Sequence, residues 1–212
     1  FEKLHNVDTV LGPEMKSTGE VLGLSEHYAD AMYKAILASG FKFPVKGSAI
    51  LMWVSDTDRA ELLPLAERLY DLGFDFYATG GTANYLNRHG LPTSVVKYSD
   101  TNGHDVQSFI RSGKVKLFIN TARSGETQGL GFTLRRLCIE HGIATLTSLD
   151  TLVAVTECLE KDLDVNDLTT YTIAEFAEIV RQTRHFNKPI NEMTMDEIKT
   201  IRKQSDNIEI EL

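Results

Sequence analysis

The chain has 212 residues, 42% of them hydrophobic and 25% charged, which suits one α/β domain of ordinary size with accessory segments and excludes disordered and fibrous classes. Its net charge of -8 is uneven: of 30 acidic and 22 basic residues, the stretch Val155 to Leu212 holds 13 and 7, leaving 17 and 15 before it. The body of the chain is therefore nearly neutral, which speaks against broad polyanion binding, nucleic acid included, and requires any anion to be held by local groups.

In chain order, residues 1–44 form a first segment. It opens with a Gly/Pro-rich stretch, Leu11 to Gly23, and continues as a helix in which Tyr28, Ala31, Met32, Ala35 and Ile36 recur at helical spacing, with Ser25 as the expected N-cap and Gly40 as the end. So short a segment has too little apolar surface to fold alone.

Residues 45–160 alternate short apolar runs with amphipathic ones. Strands are predicted at Ala49 to Val54, Phe74 to Ala78, Ser94 to Lys97, Lys116 to Asn120 and Ile143 to Leu146. Helices are predicted at Asp58 to Asp71, Ala83 to His89, His104 to Arg111, Thr133 to His141 and Asp150 to Leu159, with Pro64 expected to loosen or kink the first of them. Strands that alternate with helices need crossover connections, so the expected fold is α/β: a doubly wound, mainly parallel sheet with helices on both faces. Ligands in such sheets bind at the carboxyl ends of the strands.

Residues 161–212 read as a helical tail, with amphipathic helices at Ile173 to Arg184 and Thr194 to Gln204 separated by Pro189. No apolar run nears the roughly 18 residues that span a bilayer, and Phe1 to Val10 does not resemble a signal peptide, so a cytoplasmic location is expected. The start on Phe1 rather than Met points to a piece of a longer protein. Cys138 and Cys158 sit in helical patterns and read as small core hydrophobes, with neither a disulfide framework nor a thiolate metal site implied.

The strongest local signal is Ala78-Thr79-Gly80-Gly81-Thr82, placed between a strand and a helix. Two glycines allow close backbone approach, the helix start offers N–H groups, and the hydroxyls of Thr79 and Thr82 can donate to anionic oxygens, so a phosphate fits there. The plain alternative is a glycine turn with Thr82 as helix N-cap. Other strand ends could converge on the same place: Arg59, Lys97 and Arg123 as cations, Asn120 and Thr121 as hydrogen-bonding groups, and Trp53 as a stacking surface. Taken one at a time, Arg59 and Lys97 read as surface charges and Trp53 as a core aromatic. Acid/base chemistry is thinly supplied, since Asp105 reads as a first-turn carboxylate and His104 as solvent-facing. Of Arg135 and Arg136, one is expected to pair with a carboxylate and the other to be solvated.

The run Leu11-Gly12-Pro13-Glu14-Met15-Lys16-Ser17-Thr18-Gly19-Glu20-Val21-Leu22-Gly23 resembles the stretch that closes the second ATP-grasp unit in large subunits of carbamoyl-phosphate synthetases. Residues from about Val45 to Leu159, with Leu72-Gly73-Phe74, the Thr79 to Thr82 motif, Phe118-Ile119-Asn120-Thr121 and Arg135-Arg136, resemble that family's C-terminal allosteric domain, which has a methylglyoxal-synthase-like fold. The resemblance implies a regulatory domain without catalysis of its own. It would bind a phosphorylated effector, such as uridine monophosphate or phosphoribosyl pyrophosphate, through Thr79, Thr82, Arg59, Lys97, Asn120 and Thr121. It further implies a parent ligase that uses ATP with Mg or Mn, a glutaminase small subunit as partner, oligomers of the full enzyme, and service to pyrimidine and arginine biosynthesis. The chain departs from the family pattern at Trp53 and at Leu130-Gly131, positions that bear on the effector's identity.

A lyase of the methylglyoxal-synthase type, acting on dihydroxyacetone phosphate, is the rival from another class. Gly103-His104-Asp105-Val106-Gln107 resembles its catalytic segment, with Asp105 as the carboxylate, but Asn120-Thr121-Ala122-Arg123 lacks the second carboxylate expected after the fourth strand.

Overall fold

The computed structural model describes residues 21–98, 105–121, 128–163, 166, 168–185, 194, 196, 197 and 199. Among these, residues 41–160 cluster as one compact unit, and residues 21–40 with the described residues after 160 form a second.

The first unit is built on the run Ala49–Trp53 (β1), whose five residues are all buried. A strand apolar on both faces has to lie inside a sheet covered on both sides. The other strands are Asp75–Ala78 (β2), Thr93–Val95 (β3), Val115–Asn120 (β4) and Ala144–Leu146 (β5). All pair in parallel, in the order β3-β2-β1-β4-β5. The expected α/β architecture is the one observed.

The helices between them are Arg59–Asp71 (α2), Gly80–Arg88 (α3), Val106–Arg111 (α4) and Gln128–Glu140 (α5), with Leu149–Glu160 (α6) after β5. Helix α2 packs on both α3 and α6, and α4 packs on α5, so the two sets cover opposite faces. Leu51, Trp53 and Phe118 join Val106, Ile110, Leu134 and Cys138 in the core on the α4/α5 side. Burial pushes the Cys138 thiol up to about 12, which leaves it a packing group, and Cys158 is likewise buried.

Helix ends follow local chemistry. After α2, Gly73 adopts φ 87°, its N–H donates to the Tyr70 carbonyl, and the Phe74 N–H donates to the Leu69 carbonyl. This paired closure needs a left-handed residue, a conformation that costs glycine nothing. The same pair of bonds closes α3 at Gly90 and α5 at Gly142. Pro64 does not break α2: it and Ala60, the residue whose carbonyl it cannot serve, are exposed, so water can serve that carbonyl. At the sheet edge, the Asn87 carboxamide accepts from the Thr93 N–H at 3.0 Å and donates to the Thr93 carbonyl at 2.8 Å, which blunts the short strand β3.

In the second unit, Tyr28–Ala38 (α1) begins after His27 with no side-chain cap, so Ser25 is not the cap. Lys34 Nζ donates to the Leu24 and Thr169 carbonyls at 2.6 and 2.5 Å and lies 5.2 Å from the centre of the Tyr171 ring. Its burial holds the ammonium below its usual range, partly offset by Asp30 and Glu26. Ile173–His185 (α7) opens with a reciprocal cap: Thr172 N–H donates to Glu175 Oε2 at 2.5 Å and Glu175 N–H donates to Thr172 Oγ1 at 3.1 Å. Thr194 and Glu197 form a second such pair. The rest of the predicted last helix, Pro189, and Leu11 to Glu20 lie outside the described residues. No helix among those described is long and apolar enough to cross a membrane.

Candidate functional site

The strand register aligns the carboxyl ends of the central strands: Met52 sits beside Ala78, and Trp53 beside Asn120. The order of strand addition switches between β1 and β4, since β2 and β3 lie on one side of β1 and β4 and β5 on the other. Residues just past those ends are thus brought to one edge.

Helix α3 starts at Gly80, three residues before the predicted start, with Thr79 at the N-cap. The Thr79 side chain makes no capping hydrogen bond. It is buried and shares a side-chain hydrogen bond with Tyr98, whose hydroxyl is pushed up by burial despite that bond. Among the described residues no N-cap side chain serves the first turn of α3, where the positive end of the helix dipole lies.

Thr82 is neither the cap nor an open donor. It is 0% exposed, and its Oγ1 donates to the Val54 carbonyl and accepts from the Val54 N–H, both at 3.2 Å. The hydroxyl thus ties α3 to the end of β1. Thr121 makes a similar link, accepting from the Ser55 N–H at 3.2 Å.

Arg59, the first residue of α2, lies across the glycines. A Cβ added at Gly81 would run into the Arg59 guanidinium and stand 3.1 Å from its Cζ. Only a residue without a side chain permits this approach. The Arg59 Nη2 forms an ion pair with Asp56 Oδ1 at 2.5 Å, while its Nε is buried without a hydrogen-bond partner among the described residues.

Asn120 and Arg135 form a buried pair beneath β4. Arg135 is 3% exposed and its Nη1 donates to Asn120 Oδ1, while Asn120 Nδ2 donates to the Trp53 carbonyl at 3.1 Å. Both ends of the carboxamide are thereby engaged. Of the two arginines, Arg136 pairs with a carboxylate as expected, Glu140 at 2.9 Å, but Arg135 is buried rather than solvated.

Trp53 belongs to the core and meets Tyr98 edge-on, with ring centres 5.0 Å apart. Its face is not an open stacking surface; Tyr98, 39% exposed, is the aromatic that reaches solvent beside Thr79. Lys97 is exposed at the end of β3, its carbonyl accepting from the Val106 N–H. Arg123 and His104 lie outside the described residues. Asp105 is the N-cap of α4, accepting from the Ser108 N–H at 2.7 Å, and that bond holds its carboxyl below the usual range.

A separate cavity of about 350 Å³ opens past the ends of β1, β4 and β5, with Thr121, Thr147 and Ser55 facing Asp58, Glu61 and Asp150. Carboxylates on its wall make it a poor host for an anion, so the anion-compatible part of this edge is the Arg59 and Gly81 side. No cluster of metal-ligating side chains occurs among the described residues. Reading the sequence for the site missed Asp56 and Tyr98. Asp56 had a signal, its spacing of three from Arg59; Tyr98 had none beyond following Lys97.

The geometry brings a glycine-rich helix start, an arginine and a threonine together at the carboxyl ends of β1 and β2 in a parallel α/β sheet. Residues 61–147, from the first turn of α2 to the end of β5, match the family model described as MGS-like domain, and the chain therefore contains an MGS-like domain.

Proposed function

We propose that this domain is the allosteric effector-binding part of a carbamoyl-phosphate synthetase large subunit, and that its effector binds through a phosphate at the start of α3. The observation that carries the reading is the Arg59 guanidinium lying against Gly81, over a first helical turn that no N-cap side chain serves. Backbone N–H groups at a helix start together with a guanidinium are the donors a phosphate needs. Tyr98 offers the adjoining aromatic edge for a base or sugar, and exposed Lys97 adds a cation at the neighbouring strand end.

In this reading Thr82, Thr121 and Asn120 act by positioning. Their side chains bond to the Val54, Ser55 and Trp53 backbone and hold the end of β1 in register with β2 and β4. The wider assignment draws on the resemblance of Leu11 to Gly23 to the end of an ATP-grasp unit. With it come a cytoplasmic location, ATP with Mg or Mn at sites of the parent enzyme, and a glutaminase subunit as partner. The lyase reading is weaker, because the Asp105 carboxylate is spent on capping α4.

Calorimetric titration of uridine monophosphate and phosphoribosyl pyrophosphate into the chain tests the proposal. One of them should bind, and Arg59→Ala should weaken it by about 1.5 to 3 kcal/mol, the usual worth of a hydrogen bond to a charged group. Gly81→Ala should weaken it as well by displacing Arg59. Absence of heat with either compound and with other phosphorylated metabolites would sink the reading, as would turnover of dihydroxyacetone phosphate that is lost in Asp105→Ala.

A further inference from the structure

Two arginines of the first unit show what a guanidinium does when its partner fits and when it does not. Arg68 binds Glu160 side-on, Nε to Oε1 and Nη2 to Oε2, each at 2.7 Å, and both donors of that edge are used. Arg59 offers the same edge, but Asp56 takes only Nη2, and Nε stays buried and unmatched among the described residues. A carboxylate three residues back on the same loop engages one corner of the fork and leaves the other unserved.

The two partners also differ in environment. The Arg59 side chain is 19% exposed, whereas that of Asp56 is 86% exposed. Water therefore screens the pair from the Asp56 side, and releasing Asp56 to solvent costs little. Arg59 already packs against Gly81, and because its Nε is buried the side chain has to turn to present that edge at the start of α3.

We infer that Asp56 is an internal competitor for the effector's phosphate: it holds the Arg59 edge in the free protein and is displaced by a phosphate group that engages Nε and Nη2 together. The inference rests on the phosphate-site reading above and adds to it a mode of control. A tetrahedral dianion can accept from both corners at once, and it brings more charge than one carboxylate. Displacement releases the Asp56 side chain while the rest of the loop from Ser55 to Asp58 stays tied, with Ser55 Oγ and Thr57 Oγ1 2.9 Å apart and Thr57 Oγ1 donating to Asp58 Oδ1 at 3.0 Å. Effector binding thereby changes the surface at the start of α2. Competition of this kind sets the affinity below what the donors alone would give, so the site responds to the ligand over a higher concentration range.

The test is a titration of the full chain with inorganic phosphate, followed by the amide signals of Gly80 and Gly81. Asp56→Asn should tighten phosphate binding by about two- to fivefold, the range that an exposed ion pair is worth. Asp150→Asn removes the same charge from the neighbouring acidic cavity and should leave the affinity within twofold, which separates direct competition from a general loss of negative field. If Asp56→Asn binds phosphate no better than the unaltered chain or than Asp150→Asn, the competition is refuted. Weaker binding in Asp56→Asn refutes it too, and shows instead that Asp56 positions Arg59. If those glycine signals fail to move in any of the three proteins, the phosphate site falls and the competitor with it. If phosphate binds the unaltered chain, Gly81→Ala weakens it and Asp56→Asn has no effect, only the competitor falls.

Discussion

Asp105 carries a pH dependence whose sign follows from its bond. Its carboxylate accepts from the Ser108 N–H at the start of α4, and this bond, with the nearby Arg111 charge as a lesser contribution, holds the group below the usual carboxylate range. The charged form is thus favoured by folding, so the stabilisation is present above about pH 4 and is lost as pH falls through the lowered value. Asp105→Asn keeps a capping oxygen but removes the titration. Thermal midpoints measured from pH 7 down to 2.5 should fall less steeply in Asp105→Asn than in the unaltered chain, and equal slopes would show that the cap does not titrate. Asp105 was read in the sequence as a first-turn carboxylate of a helix from His104, whereas it is the N-cap that precedes α4. The role of Thr82 was not legible, because its hydroxyl answers to the backbone of Val54, just past the end of β1 and 28 residues away, a contact that exists only once β1 and β2 pair. Arg135 was misjudged for a related reason: burial beneath Asn120 depends on how α5 lies on the sheet, which spacing alone does not reveal.

Elements were easier to read than side chains, and their errors cluster at glycines. Helix α3 begins at Gly80 and α5 at Gln128, ahead of the predicted starts at Ala83 and Thr133, since Gly80, Gly81, Gly129 and Gly131 carry a low helix propensity that tertiary packing overrides. The five strands were found within a residue or two because their runs are apolar and end in turn residues. The contact of α2 with α6 had no local signature at all. It is closed at its outer end by the side-on pair of Arg68 and Glu160, which holds the glutamate below and the guanidinium above their usual ranges. Both side chains are about one-third exposed, so solvent screens the pair and its worth lies near that of other surface pairs. Arg68→Ala should lower unfolding free energy by about 0.5 to 1 kcal/mol in urea titrations at low salt, with a smaller loss in 1 M salt. A loss that does not change with salt would assign the effect to packing of the arginine stem rather than to the pair.

At the scale of the molecule, the division between residues 41–160 and the second unit has a consequence for folding. Every strand among the described residues belongs to the first unit, and the helices that pack on the sheet belong to that same unit. Its core on the α4/α5 side and the packing of α2 on α3 and α6 draw only on residues between 49 and 160. A sheet so covered carries its own cooperative core, whereas an isolated helix such as α1 does not. Residues 41–160 alone should therefore fold in a single transition with a stability in the ordinary range of about 5 to 15 kcal/mol. Trp53, the single tryptophan, lies in that core beside Tyr98 and reports its packing directly. Urea unfolding of this piece should give coincident curves by Trp53 fluorescence and far-ultraviolet circular dichroism. A non-cooperative loss of ellipticity, or fluorescence that changes before it, would mean that the sheet depends on segments outside 41–160. Coincidence would place the Arg59 and Gly81 site, which is built wholly from residues of this unit, within a body that can be titrated with phosphate by itself.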